Sequence, residues 1–340
     1  MAQDLLTICI PSFNRLLCAK QTLNRLFAIE APLKFRVIVI DNASPDNYLE
    51  ILSADDSLKK HLSTGKLKIE RNNTNIGMSG NILRCFEQET EGWLWVLSDD
   101  DDVCDDALQK ISSALKAQEN SNYSCIYFGG YDGIAEEVSV RSLPEFIDLN
   151  LKTVNNFNQS IFLSNSLYRM SEVKKYLSSG YLNAGTYIPH FMMIVSLLNN
   201  GLRVKYLNKQ IVNFIRPEVG YSYSLVAGLG VGLPKHVSLN LTNEYYRRFL
   251  HLFYPHNDFK VIVDLYFETR KTRPAFTYLV RYYLTYIKLV RPFYLFWMVW
   301  FFATLAQSEK IFAIILKVLG RISPRIKSEI SEIKKRNSAN

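Results

Sequence analysis

Apolar and polar positions alternate in blocks along the first hundred residues: short β-branched runs give way to stretches of helical spacing, the rhythm of a parallel sheet with crossover helices. Leu5–Ile10 is rich in β-formers and is expected to stop at Pro11-Ser12. Leu16–Ile29 sets Leu16, Ala19, Leu23, Leu26 and Phe27 on one face, which predicts a helix. Phe35–Ile40 reads as a second buried strand, ending in the turn formers Asp41 to Asp46. Leu67–Glu70 is a third strand, followed by a loop over Arg71–Gly77 and a helix over Ser79–Gln88. Trp93–Leu97 is a fourth, running directly into Asp99-Asp100-Asp101-Asp102.

The pattern is weaker beyond this point. It predicts a helix over Asp105–Glu119, a strand over Ser124–Phe128, further strands at Leu163–Tyr168 and Val204–Tyr206, and a helix over Pro189–Asn199. Three strand ends then deliver polar residues to one edge of the sheet, and in an open parallel sheet that edge binds ligands.

Composition changes the picture after about residue 240. Residues 245–302 hold 20 of the 44 aromatics of this 340-residue chain, and Pro292–Ala306 is fifteen residues without a charge. That stretch falls short of the roughly 20 apolar residues a spanning helix needs, and basic residues flank both of its ends (Arg291, Lys310, Lys317). With amphipathic Ile311–Leu319, the pattern predicts helices lying in a membrane interface; a spanning segment and a buried core helix are the weaker readings.

Net charge is +8, but Arg270–Asn340 carries 14 Lys+Arg against 3 acids, or 14 − 3 = +11, so residues 1–269 carry 8 − 11 = −3. The basic tail suits anionic lipid headgroups, and the acidic body argues against nucleic acid. Five scattered cysteines, none spaced as CxxC, argue against a disulfide framework or zinc site and suggest a reducing compartment. Met1–Arg15 has no basic leader and is not expected to be a signal peptide.

Four adjacent carboxylates at a strand end repel one another unless cations or donors neutralise them. Mg²⁺ or Mn²⁺ binds through one or two carboxylates plus substrate phosphates. An acidic turn capping the following helix is the plainer alternative for the cluster taken alone.

Four segments together resemble the family-two glycosyltransferases of the GT-A fold: Thr7–Arg15, Val37–Ser44, Asn75-Ile76-Gly77 with Gly80-Asn81, and Trp95–Asp102. The resemblance is good over about residues 4–130, loose over 130–215 and absent from the tail. It implies a GT-A, Rossmann-like α/β domain with a mainly parallel sheet, its nucleotide-sugar half over 1–103 and its acceptor half over 104–240. A helical, membrane-associating region over 241–340 follows. It also implies that Pro11, Ser12 and Asn14 line the nucleotide pocket, that Asp41 hydrogen-bonds the base, and that Asn75, Gly77 and Asn81 lie over the nucleotide. Asp99 faces the ribose and Asp101 holds the metal, Mn²⁺ or Mg²⁺; Asp100 and Asp102 stay open because the register of the run is ambiguous by one.

The family's acidic pair, expected 80–90 residues beyond the Asp cluster, is missing. His190, after Pro189 at a helix start, takes its position, and an imidazole of ordinary pKa is a competent base. Asp132 and Glu218 are the other candidates. Arg216–Glu218 and the glycine-bearing 220–232 segment suggest a loop beyond the site, lid or plain surface.

The expected activity is inverting transfer from a UDP- or dTDP-sugar to a lipid-linked glycan, in O-antigen or capsule synthesis, on the cytoplasmic face of the cell membrane. A sugar nucleotidyltransferase and a non-catalytic membrane adaptor are the alternatives. The first lacks its glycine- and Arg/Lys-rich loop after Ile10; the second draws on the missing acidic pair.

Overall fold

The computed structural model describes residues 6–88, 92–117, 122–213 and 239–252, together with Ser331. The chain divides into two compact units, Met1–Gly220 with Pro234–Thr242, and Tyr221–Leu233 with Asn243–Asn340. Of the second unit the structure describes a helix over Asn243–Leu252. Glu218, the glycine-bearing segment and the aromatic tail beyond residue 252 lie outside the described residues, Ser331 apart.

The first unit is built on an eight-stranded sheet. Its elements are β1 (Leu6–Ser12), α1 (Leu16–Ala28), β2 (Phe35–Asp41), α2 (Tyr48–Ser53), α3 (Asp56–Ser63), β3 (Leu67–Arg71), α4 (Gly77–Gln88), β4 (Trp93–Val96), β5 (Asp102–Val103), α5 (Ala107–Ala117), β6 (Tyr123–Phe128), β7 (Glu137–Val140), α6 (Leu143–Leu151), α7 (Val154–Ile161), β8 (Ser166–Arg169), α8 (Met170–Val173), α9 (Leu177–Leu182), α10 (Pro189–Asn199), β9 (Arg203–Leu207) and β10 (Val212–Asn213).

The strand order is β3-β2-β1-β4-β8-β6-β9-β7, with β5 and β10 forming a separate two-stranded ladder. β1 pairs in parallel with β2 and β4, as do β2 with β3 and β6 with β9. β8 runs antiparallel between β4 and β6, and β7 antiparallel at the edge beside β9. Six strands therefore point their C-terminal ends the same way.

Leu6, Ile8, Ile10, Val37, Val39, Trp93 and Trp95 enter one core with Ala19, Leu23 and Leu26 of α1. Burial of those three α1 residues at helical spacing is what the sequence pattern demanded.

Pro11 does not end β1, contrary to expectation. Strand β1 runs on through Ser12, which pairs with Asp41. The ladder with β4 ends at Cys9↔Val96, so the missing N–H of Pro11 falls beyond the last rung on that side, where proline is tolerated. The strand expected over Leu163–Tyr168 also starts late: Leu163–Asn165 is a 3-10 turn, and pairing with β4 and β6 begins at Ser166.

Short helices fill stretches without a clear period. Asn47, Asp55, Ser142 and Thr153 each cap a helix by accepting a backbone N–H.

Candidate functional site at the carboxyl edge of the sheet

The C-terminal ends of β1, β2, β3 and β4 bring Ser12, Asp41, Arg71 and the Asp99–Asp102 run to one edge. Asp41 is fully buried, and its carboxylate accepts from Arg71 Nη1 at 2.5 Å and from the Ser44 N–H at 2.9 Å. Arg71 also donates through Nη2 to the Ser44 carbonyl at 2.5 Å, clamping the turn after β2. Ser44 Oγ in turn accepts from the Asn14 N–H. Asn14 and Ala43 adopt φ of 54° and 61°, left-handed conformations that the surrounding bonds hold in place.

A second layer fixes the loop 72–77. Asn42 donates through Nδ2 to Asn75 Oδ1 (2.8 Å) and to the Gly77 carbonyl (3.3 Å), and its Oδ1 accepts from Asn72 Nδ2 and the Ile76 N–H. Asn72 also donates to Asn81 Oδ1. Asn81 Nδ2 donates to the Ile40 carbonyl at 3.0 Å and the Ser12 carbonyl at 3.4 Å. Asn81, expected over the nucleotide, is buried, with both ends of its amide engaged by the protein. Its work is to tie α4 to the ends of β1 and β2. Gly77 has φ +78° and open space where a Cβ would stand, so the turn needs glycine for its backbone conformation.

The four aspartates, indistinguishable in the sequence, have four different surroundings. Asp99, 3% exposed, accepts from Ser12 Oγ at 2.6 Å and from Arg15 Nη1 at 3.3 Å. Asp100 accepts from the same guanidinium nitrogen at 2.6 Å and from Ser98 Oγ at 2.6 Å. Asp101, 7% exposed, accepts from Ser164 Oγ at 2.5 Å. Asp102 lies in β5, paired with Asn213 of β10, whose amide donates to it at 3.0 Å. Burial drives the Asp99 carboxyl up to about 6 against the pull of Ser12 and Arg15. Burial, helped by the Asp100 and Asp99 charges, drives Asp101 up to about 7 although Ser164 opposes it.

Helix α1 holds this acidic loop. Arg15 precedes it, Thr22 Oγ1 donates to the Asp99 carbonyl at 2.9 Å, and Arg25 donates through Nε to the Val103 carbonyl and pairs with Asp105. The sequence gives no role to any of these three, nor to Arg71, Ser164 or Tyr48, whose hydroxyl accepts from the Arg15 N–H at 2.9 Å. Thr22 and Arg25, three positions apart in α1, share one helix face, a signal the sequence did carry. Nothing in it links Ser164 to Asp101, 63 residues earlier.

Among the described residues no group of three or more His, Cys, Asp or Glu side chains could hold a metal. Among the described residues the Asp101 carboxylate is hydrogen-bonded to one hydroxyl and ion-paired with none, while Arg15 pairs with Asp99 and Asp100. Buried carboxylates so placed fit a Mg²⁺ or Mn²⁺ ion that draws its remaining ligands from a diphosphate and water.

The candidate bases differ sharply. His190 is buried, its Nε2 lies 3.0 Å from the Ile161 carbonyl, and Nδ1 has no hydrogen-bond partner. Burial pulls its pKa down to about 4, which corrects the expectation of an ordinary imidazole. Asp132 is exposed after β6 and accepts from Thr153 Oγ1 at 2.7 Å and Asn155 Nδ2 at 3.4 Å.

The carboxyl edge of an open, mainly parallel sheet is where such folds bind ligands, and here it gathers a buried strand-end carboxylate, an asparagine-tied glycine loop and an acidic run. A family model described as glycosyl transferase family 2 matches residues 7–193, more than half of the chain, and the chain belongs to that family. Among solved structures it is similar to S. aureus TarS 1–349 (TM-score 0.55, 16% identity, 84% of this chain and 81% of that one). It is also similar to TarS 1–349 in complex with UDP-GlcNAc (TM-score 0.56, 15% identity) and in complex with UDP (TM-score 0.56, 14% identity), with the same coverage of both chains. At these identities the likeness is one of fold. No match was found among curated proteins.

Proposed function

We propose that this glycosyltransferase inverts configuration as it moves a sugar from a UDP-type donor to a hydroxyl of a lipid-linked glycan, with a divalent cation, at the inner face of the cell membrane. The observation that carries this reading is the set of buried carboxylates Asp41, Asp99 and Asp101 on one sheet edge. The TarS structures, solved with UDP and UDP-GlcNAc, support the donor class by shared fold.

In this reading Asp41 accepts the imide N–H of uracil, Pro11, Ser12 and Asn14 border the nucleotide, and Asp99 faces the ribose. Asp101, with Asp99 or Asp102, would hold the cation, which when bound neutralises charge on the departing diphosphate. The acceptor oxygen bonds to the anomeric carbon as the bond from that carbon to the diphosphate oxygen breaks. Asp132 takes the hydroxyl proton: it is the exposed carboxylate among the described candidates, whereas His190 is buried and a weak base. The basic, aromatic tail supplies the membrane contact.

Calorimetry of UDP binding to the full chain, with and without Mn²⁺, tests the core of this. Tighter binding with Mn²⁺, by about tenfold, is expected, and equal affinities in the two conditions refute the metal assignment. Asp132→Asn is expected to cut turnover about 100-fold with UDP affinity unchanged, and near-normal turnover moves the base to Glu218.

A further inference from the structure

Ser164 is fully buried and is joined to the end of β4 by three hydrogen bonds. Its carbonyl accepts from Trp95 Nε1 at 2.8 Å, its Oγ accepts from the Ser98 N–H at 2.9 Å, and the same Oγ donates to Asp101 Oδ2 at 2.5 Å. The 3-10 turn that carries it leads directly into β8, whose antiparallel pairing with β4 sets Leu167 opposite Trp95. Ser164 is thus anchored by backbone and indole before its hydroxyl meets the carboxylate. A serine hydroxyl has one proton. With the Ser98 N–H filling the acceptor side of Oγ, that proton is directed at Asp101.

Among the described residues this is the hydrogen bond that orients the Asp101 carboxylate. The neighbouring aspartates are turned elsewhere, Asp99 toward Ser12 and Arg15, Asp100 toward Arg15 and Ser98. A carboxylate with Oδ2 held and Oδ1 uncommitted presents one oxygen in a fixed direction, the geometry that a cation shared with a diphosphate requires.

We propose that Ser164 is the positioning residue that aims Asp101 at the cation accompanying the donor diphosphate, coupling the β8 strand to the nucleotide edge. The inference rests on the metal-dependent reading above. It also explains why the acidic run can be anchored at both ends and still leave one carboxylate directed.

The test uses the full chain, with UDP and Mn²⁺ as probes, in wild type, Ser164→Ala, Ser164→Cys and Asp101→Asn. For Ser164→Ala, UDP affinity without metal should stay within about twofold of wild type, while most of the roughly tenfold Mn²⁺-dependent gain is lost. Ser164→Cys, a similar volume with a weaker donor, should fall between the two. If wild type shows a Mn²⁺ gain that Asp101→Asn abolishes while both Ser164 variants retain it, the positioning role is overturned. If wild type shows no gain, the metal reading fails first. Should Ser164→Ala not fold, as judged by its thermal transition, Ser164→Cys alone decides: a retained gain overturns the proposal and a reduced one supports it.

Discussion

Arg15 faces two carboxylates with one guanidinium and is itself 38% exposed at the side chain. Arg15→Gln leaves Asp99 and Asp100 without their cation and should destabilise the protein by about 1–2 kcal/mol at pH 8, a figure already reduced for solvent screening. Urea unfolding checks it. Asp101 gives a prediction of opposite sign. An unfolded carboxyl loses its proton near pH 3.9, whereas folded Asp99 and Asp101 keep theirs to about 6 and about 7. The metal-free fold therefore binds more protons than the unfolded chain between about pH 4 and 7, and stability falls as pH rises through that window. Asp101→Asn removes one such group, since Ser164 can donate equally to an amide oxygen. It should raise the metal-free melting temperature at pH 8, by about 2–4 °C per kcal/mol regained, and flatten its decline from pH 5 to 7.5. An unchanged calorimetric slope refutes the assignment. His190 works the other way: with its pKa pulled down to about 4, its contribution is lost as pH falls from about 6.5.

At the scale of elements, four asparagines bind strand ends to the start of α4. Asn42→Ala removes the acceptor of the Ile76 N–H, so hydrogen exchange at Ile76 should speed up while that in β1 and β2 stays slow. Equal protection in variant and wild type would show that the loop holds itself. Gly180 marks another close approach. A Cβ there would meet Leu83 Cδ2 at 2.6 Å and Met193 at 3.0 Å, where α9 packs on α4 and α10. Gly180→Ala should cost about 1–3 kcal/mol through overpacking, read by denaturant titration.

At the scale of the whole molecule, no helix among the described residues is long and apolar enough to cross a membrane. The +11 segment from Arg270 onward is the feature that points to a lipid surface. A chain ending at Leu289 should lose affinity for anionic vesicles and keep UDP affinity. Undiminished vesicle binding would move the membrane contact to residues before 290.

Sequence determined the order of β1, α1, β2, β3, α4 and β4, because each buries a continuous apolar run or face and local periodicity reports burial. It determined the chemistry at the sheet edge too, since Asp41 and the Asp99–Asp102 run follow their strands directly. Only the tertiary structure separated the four aspartates. Their surroundings come from Ser12, Arg15, Ser164 and Asn213, which long-range pairing brings from other strands and loops. Tertiary structure alone also made His190 a neutral, buried ring, because burial is a property of the packed chain. Local spacing encodes which residues reach an edge; which partner each one meets there depends on contacts between distant segments, and those set the charge, direction and basicity of the site.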